Sequence, residues 1–223
     1  MLMLANYLVR VLNTSMSVAY GSELVGIATP TCAGKTSLLE ELKLRMPASV
    51  ATLPFDEYDL YPTGSELMER ELAEPRITNW KDPALFDMPQ FIHDAATIAR
   101  GYRVTLQTRS RESLEGGEQS RLFVPRRINI LEGVFVLLDP DIRALMDLRF
   151  YIDIPPDVMV ERRLATLRPG VSGNPWDDPE YIKGSMVEGT RKYVLPQREY
   201  ADVVLDGTKP TTELATQVIG HLS

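Results

Sequence analysis

The sequence predicts an α/β fold built on a parallel sheet, and three observations predict it. Short apolar segments alternate with helix-forming segments along the chain, the pattern of strands joined by crossover helices. Several of the apolar segments are continuous runs, as expected for strands covered on both faces. A Gly34-Lys35-Thr36 triplet stands where the first such strand gives way to the first helix.

The elements follow in order. Strands are expected over Glu23–Ala28, Ser49–Leu53, Val104–Gln107, Ile128–Leu131, Leu148–Ile154 and Asp202–Leu205. A helix is expected over Lys35–Arg45, closed by Pro47. Another runs over Met88–Arg100, with Phe91, Ile92, Ala95 and Ile98 at helical spacing and Gly101 as its stop. A third covers Asp157–Leu167 after a Pro-Pro pair, with Asp157 as its N-cap. A fourth covers Glu180–Tyr193. Part of Tyr61–Lys81 and all of Arg109–Arg126 read as loops, and long loops in compact domains often carry function. Residues 1–22 read as a short helix or docking segment ahead of one domain over 23–223.

Composition narrows the function classes. The chain has 223 residues, 44 % of them hydrophobic and 25 % charged, ordinary values for a soluble globular domain. A net charge of −7 repels phosphate backbones and argues against a nucleic-acid partner. The chain has one cysteine, Cys32, so no intramolecular disulfide forms and a reducing compartment is favoured. No apolar run reaches the roughly 18 residues of a membrane span. Met1–Val11 lacks the basic flank and cleavage site of a signal peptide. The cytoplasm is the expected location, with no membrane partner; a homo-oligomer stays open.

The segment Thr29-Pro30-Thr31-Cys32-Ala33-Gly34-Lys35-Thr36-Ser37 carries the chemistry. A strand, then this loop, then a helix is the context of a Walker A phosphate-binding loop. Backbone N–H groups and the helix dipole would face the phosphates. Lys35 would reach the β- and γ-phosphates and the Thr36 hydroxyl would bind Mg²⁺. Thr29 departs from the pattern Gly-x-x-x-x-Gly-Lys-Ser/Thr at its first glycine, which implies a different loop entry. Cys32 reads as a small loop residue, although a thiol at a helix N-terminus can have a lowered pKa. Two acids stand at strand ends, where ligands of parallel sheets gather: Asp56, ahead of Glu57 and Asp59, and Glu132. Phosphoryl transfer needs oxygen ligands for Mg²⁺ and a base for the acceptor hydroxyl. Which of Asp56, Glu57 and Asp59 points inward is open at this stage, with Asp56 nearest the strand end. His93 and His221 form no metal or catalytic cluster, and the Asn-Lys-x-Asp motif of GTPases is absent.

From about Glu23 to Gly207 the chain resembles the uridine kinase and phosphoribulokinase family of P-loop kinases. The anchors are Leu24-Val25-Gly26-Ile27-Ala28, Asp56-Glu57-Tyr58, Asn79-Trp80-Lys81-Asp82-Pro83 with Phe86-Asp87, and Ile130-Leu131-Glu132-Gly133-Val134. Further on come Met146–Asp153, Arg162-Arg163, Leu195-Pro196 and Tyr200–Val204. The resemblance implies a P-loop NTPase-type parallel five-stranded sheet flanked by helices, with a small lid around 160–185. It implies ATP and Mg²⁺, a small-molecule acceptor hydroxyl, Asp56 as base and Mg²⁺ neighbour, and Glu132 beside Mg²⁺. Arg162-Arg163 would start a lid helix, with Arg163 acting on the transferring phosphoryl. Where uridine kinases carry an aromatic and histidine-bearing acceptor segment, this chain has Gln107-Thr108-Arg109-Ser110-Arg111. Arg109 and Arg111, with Arg168 of the lid, suit an anionic acceptor, and Tyr58 or Tyr61 would be the stacking partners if the acceptor were a nucleoside. Two other readings stand beside this one. One is a nucleotide-binding regulatory protein without turnover; the other is a uridine/cytidine or nicotinamide riboside kinase proper.

Overall fold

Five strands form a single parallel sheet in the computed structural model, which describes residues 22–62, 65–74, 76–77, 79–107, 109, 120–167 and 177–222. They are β1 (Glu23–Ala28), β2 (Val50–Pro54), β5 (Ile128–Gly133), β6 (Leu148–Asp153) and β7 (Val203–Asp206), in the order β2-β5-β1-β6-β7. β1 is central, paired in register with β5 through Gly26 and Leu131 and with β6 through Ile27 and Phe150. All pairings in this sheet are parallel.

Both faces are covered, which explains the unbroken apolar runs. Val25 and Ile27 point to a layer made by α1 (Lys35–Arg45), α5 (Pro156–Ala165) and α8 (Thr211–His221), where Leu38, Leu42, Met159, Leu214 and Val218 are buried. Leu24 and Ala28 point to the opposite layer, made by α3 (Met88–Ala99) and the short α4 (Pro140–Leu145), with Phe91, Ala95, Ile98 and Ile142 inside. Arg45 ties α1 to α8 by hydrogen bonds to Thr216 Oγ1 at 2.9 Å and the Thr212 carbonyl at 3.2 Å.

Four sequence expectations change. Val104–Gln107 is a strand, β3, but it pairs antiparallel with β4 (Ser120–Phe123) in a separate hairpin. Its alternation of buried Val104 and Leu106 with exposed Thr105 and Gln107 is that of a strand with one wet face. The helix after the Pro-Pro pair starts at Pro156 with Pro155 as N-cap, so Asp157 lies in its first turn. Glu180–Tyr193 is not one helix: it divides into α6 (Pro179–Lys183), α7 (Ser185–Gly189) and a π-helical turn (Thr190–Val194), broken at Gly184. β4 itself lies inside Arg109–Arg126, which reads as loop throughout, whereas α2 (Glu66–Ala73), capped by Ser65 accepting from the Met68 N–H at 3.2 Å, falls in Tyr61–Lys81, only part of which reads as loop. The N-terminal segment 1–21, Arg111 and Arg168 lie outside the described residues.

Candidate active site

The carboxyl ends of β1 and β2, with the segments that follow them, border a cleft of about 830 Å³. The whole run Thr29–Ser37 lines it, together with Asp56, Asp59, Arg109, Arg162 and Arg163. The loop turns into α1 through Cys32 at φ 60° and Gly34 at φ 91°. A left-handed conformation suits glycine and is uncommon for a side chain such as cysteine. Thr29, where a glycine was expected, is buried and its hydroxyl donates to the Pro30 carbonyl at 3.0 Å. The altered loop entry is thus satisfied locally.

Lys35 reaches across to Glu132 and forms an ion pair with it. Glu132 is buried at the end of β5. Burial pushes its carboxyl above the usual carboxylate range, against the pull of Lys35. Thr36 and Ser37 are exposed to the cleft. Among the described residues no group of three His, Cys, Asp or Glu side chains could cage a metal. The oxygen donors by the loop are the Thr36 hydroxyl and the carboxylates of Asp56 and of Glu132, paired to Lys35, and Mg²⁺ takes one or two carboxylates and completes its shell with phosphate oxygens and water.

The structure separates the three acids after β2. They lie in and just beyond a 3₁₀ turn, Phe55–Tyr58. Asp56 and Asp59 open into the cleft. Glu57 points away and is buried; it accepts from the Arg109 N–H at 2.6 Å and lies 3.6 Å from the Arg121 guanidinium, fastening the hairpin side of the cleft. Asp59 accepts from the Tyr61 N–H at 2.8 Å. Burial, aided by Asp56, pushes its carboxyl up to about 6 despite Lys81 and Arg109 nearby.

Tyr58 corrects an expectation. It is 3 % exposed, does not line the cleft, and donates from its hydroxyl to Asp94 Oδ2 at 2.8 Å. Its ring meets Phe91 edge-on at 5.0 Å, so it anchors the turn carrying Asp56 and presents no face for stacking on a ligand. The rings on the cleft wall are instead Trp80 and Phe86.

The Arg162-Arg163 pair ends α5 instead of starting a lid helix. Arg162 donates to the Cys32 carbonyl at 3.3 Å and the Gly207 carbonyl at 3.1 Å, clamping the phosphate loop to the turn after β7. Arg163 pairs with Asp177 at 2.7 Å and faces the cleft. Burial pushes the Cys32 thiol up, against Arg163, Lys81 and Arg162, the reverse of the lowering that a helix N-terminus alone would give. Lys81 also lines the cleft. In the sequence its signal is a lysine beside a tryptophan ahead of Pro83, within the anchor Asn79–Pro83 that carries no assigned role.

A sequence profile of the phosphoribulokinase/uridine kinase family matches residues 24–214. The chain belongs to that family. Phosphoribulokinase/uridine kinase family members transfer phosphate to a hydroxyl group, and this chain is accordingly a small-molecule kinase. It is 28 % identical over 186 residues to a uridine kinase of Staphylococcus haemolyticus, covering 82 % of this chain and 86 % of that one. It is 27 % identical over 188 residues to a uridine kinase of Tolumonas auensis, with coverage of 82 % and 85 %. In fold it is similar to phosphoribulokinase from Rhodobacter spheroides, with a TM-score of 0.59 at 14 % identity over 86 % of this chain and 74 % of that one. It is also similar to shikimate kinase from Bacteroides thetaiotaomicron, with a TM-score of 0.51 at 13 % identity and coverage of 90 % and 97 %. These two likenesses speak for the fold alone. Among the described residues no helix of this family member is long and apolar enough to cross a membrane.

Proposed function

We propose that this kinase transfers the γ-phosphate of ATP to a hydroxyl group of a small polyol, sugar or anionic metabolite, with Asp56 as base. The observation that carries the reading is one cleft bordered by the full phosphate loop and by Asp56. Lys35 leaves Glu132 for the β- and γ-phosphates as the nucleotide enters. Thr36, Asp56 and Glu132 would hold Mg²⁺, which when bound neutralises charge on the phosphate oxygens. Asp56 takes the hydroxyl proton while the acceptor oxygen bonds to the γ-phosphorus and the bond to the bridging oxygen of ADP breaks. Arg163, which faces the cleft from the last turn of α5, stabilises the transferring group. A cytoplasmic location goes with the use of ATP and the unpaired Cys32.

The acceptor class is supported by Arg109. It lines the cleft near Asp59, and guanidinium forks suit carboxylates and phosphates. A second reading, a pyrimidine nucleoside acceptor, is favoured by Trp80 and Phe86 on the cleft wall and by the names of the relatives above. A coupled ADP-release screen decides between them. It compares kcat/KM for uridine, cytidine and nicotinamide riboside against sugar phosphates, pantothenate and glycerate. The expected result is an anionic or polyol acceptor ahead by tenfold or more. Uridine or cytidine ahead by that factor overturns the acceptor class, and ATP loss without any acceptor overturns the kinase reading.

A further inference from the structure

Lys81 has a built position. Its N–H donates to Asn79 Oδ1 at 2.9 Å, and Asn79 in turn donates to the Ser185 carbonyl at 3.0 Å. Its Cβ lies against the bare backbone of Gly189, where an added methyl would stand only 2.5 Å away. The Asn79 turn and α7 thus fix the stem of this lysine and aim it into the cleft.

The ammonium is partly buried and makes no ion pair among the described residues. Lys35 is engaged by Glu132, Arg163 by Asp177, and Arg162 by two carbonyls. Among the described residues no carboxylate lies within ion-pair distance of Lys81, and burial pushes its pKa down. A half-buried cation held in place without a partner is costly unless a ligand supplies the anion.

Two anions enter this cleft during the proposed reaction, the γ-phosphate and any anionic group of the acceptor. Lys81 lines the cleft together with Thr29–Ser37 and Asp56, so it borders the space between the phosphate loop and the proposed base, the path of the phosphoryl group. Arg109 lines the same cleft, its N–H held by Glu57 at 2.6 Å.

We propose that Lys81 binds the γ-phosphate of the nucleotide and follows it through transfer, as a second lysine opposite Lys35. This rests on the kinase reading above. The ammonium donates hydrogen bonds to the phosphoryl oxygens and keeps its protons; the acceptor proton goes to Asp56. Charge building on those oxygens in a loose transition state meets a cation already held in place.

Calorimetry tests this without knowing the acceptor. The probes are Mg²⁺-ADP and Mg²⁺-β,γ-imido-ATP, titrated into the wild type and the variants Lys81→Met, Lys81→Arg and Gly189→Ala. In the wild type the γ-phosphate should tighten binding. Lys81→Met should reduce that gain tenfold or more and leave Mg²⁺-ADP affinity within about threefold, the signature of a lost charge-assisted contact to one group. Lys81→Arg should keep most of the gain. Gly189→Ala, which displaces the Lys81 stem, should lower it in the same direction. An unchanged gain in Lys81→Met overturns the assignment, as does an equal loss for both nucleotides. A wild type that binds neither nucleotide overturns the kinase reading itself.

Discussion

Gly133→Ala probes how rigidly Asp56, the proposed base, is held. Gly133 closes β5 directly after Glu132 at φ 152°. A methyl there would stand 2.4 Å from Phe55 Cβ and 3.5 Å from Phe55 Cα. Phe55 is fully buried and backed by Phe86 at 4.8 Å and Phe91 at 4.9 Å, so it has nowhere to retreat. The backbone must move instead, and Phe55 opens the 3₁₀ turn that carries Asp56. Overpacking costs about 1–3 kcal/mol and a strained φ about as much again, so a loss of roughly 2–6 kcal/mol follows. For a chain of this size that lowers Tm by roughly 4–24 °C. Thermal denaturation followed by near-ultraviolet circular dichroism reads the first effect. Turnover against Mg²⁺-ATP affinity reads the second, which should fall on turnover. Gly220→Ala is the control: it lies in α8 with nothing within 4 Å of the added methyl, and should stabilise by up to about 1 kcal/mol. If Gly133→Ala melts within 2 °C of wild type and turns over normally, the clash with Phe55 does not constrain the site.

Asp56→Asn should keep nucleotide affinity and cut turnover by roughly 10²- to 10⁴-fold, the range for a general base; an unchanged rate moves the role to Asp59. Asp59→Asn keeps an acceptor for the Tyr61 N–H and removes a carboxyl whose pKa is raised from 3.8 to about 6. A raised acid binds more protons folded than unfolded, so its charge costs stability as pH climbs through that window. The variant should gain up to about 3 kcal/mol at pH 8, less after solvent screening, and much less at pH 4.5; urea titrations at the two pH values check this, and a gain independent of pH refutes it. Cys32 alkylation by iodoacetamide should be slow at neutral pH, because burial raises the thiol pKa, and slower still with Mg²⁺-ATP bound; mass spectrometry showing equal labelling with and without bound nucleotide would place the thiol away from the phosphates.

What the sequence made legible follows from how local each signal is. β1 and α1 match their expected bounds because an apolar run, a helix-starting Gly-Lys-Thr and Pro47 all act within a few residues. Strand pairing is not local: nothing within Val104–Gln107 names its partner, and β4 lies inside the charged segment Arg109–Arg126 that reads as loop. The α8 helix carried a readable pattern in Leu214, Ala215 and Val218 after Pro210, and was missed. At the site, Asp56, the phosphate loop and Arg109 share the cleft as expected, since strand ends converge there. Glu57 and Tyr58 turn inward because a 3₁₀ turn places consecutive side chains about 120° apart, which residue type alone does not reveal. Lys81 depends on Asn79 and Gly189, the latter more than a hundred residues later.

The sheet order also dictates when the fold can form. β1, synthesised early, has no neighbour in the first half of the chain; β5 and β6, which flank it, begin about a hundred residues later. The phosphate loop therefore cannot be shaped by its own strand and helix alone, for a lone parallel strand holds no ladder until a neighbouring strand arrives. During synthesis, residues 23–107 can gather at most α1, α2 and α3 around unpaired β1 and β2. The nucleotide site is consequently among the last features to assemble, since it also needs Arg162 from α5 and the Gly207 turn it clamps. Closing loops this long makes for slow folding, with β1 and β2 exposed to wrong partners meanwhile. A nascent chain stalled before β6 should accordingly bind no nucleotide, whatever motifs it already displays.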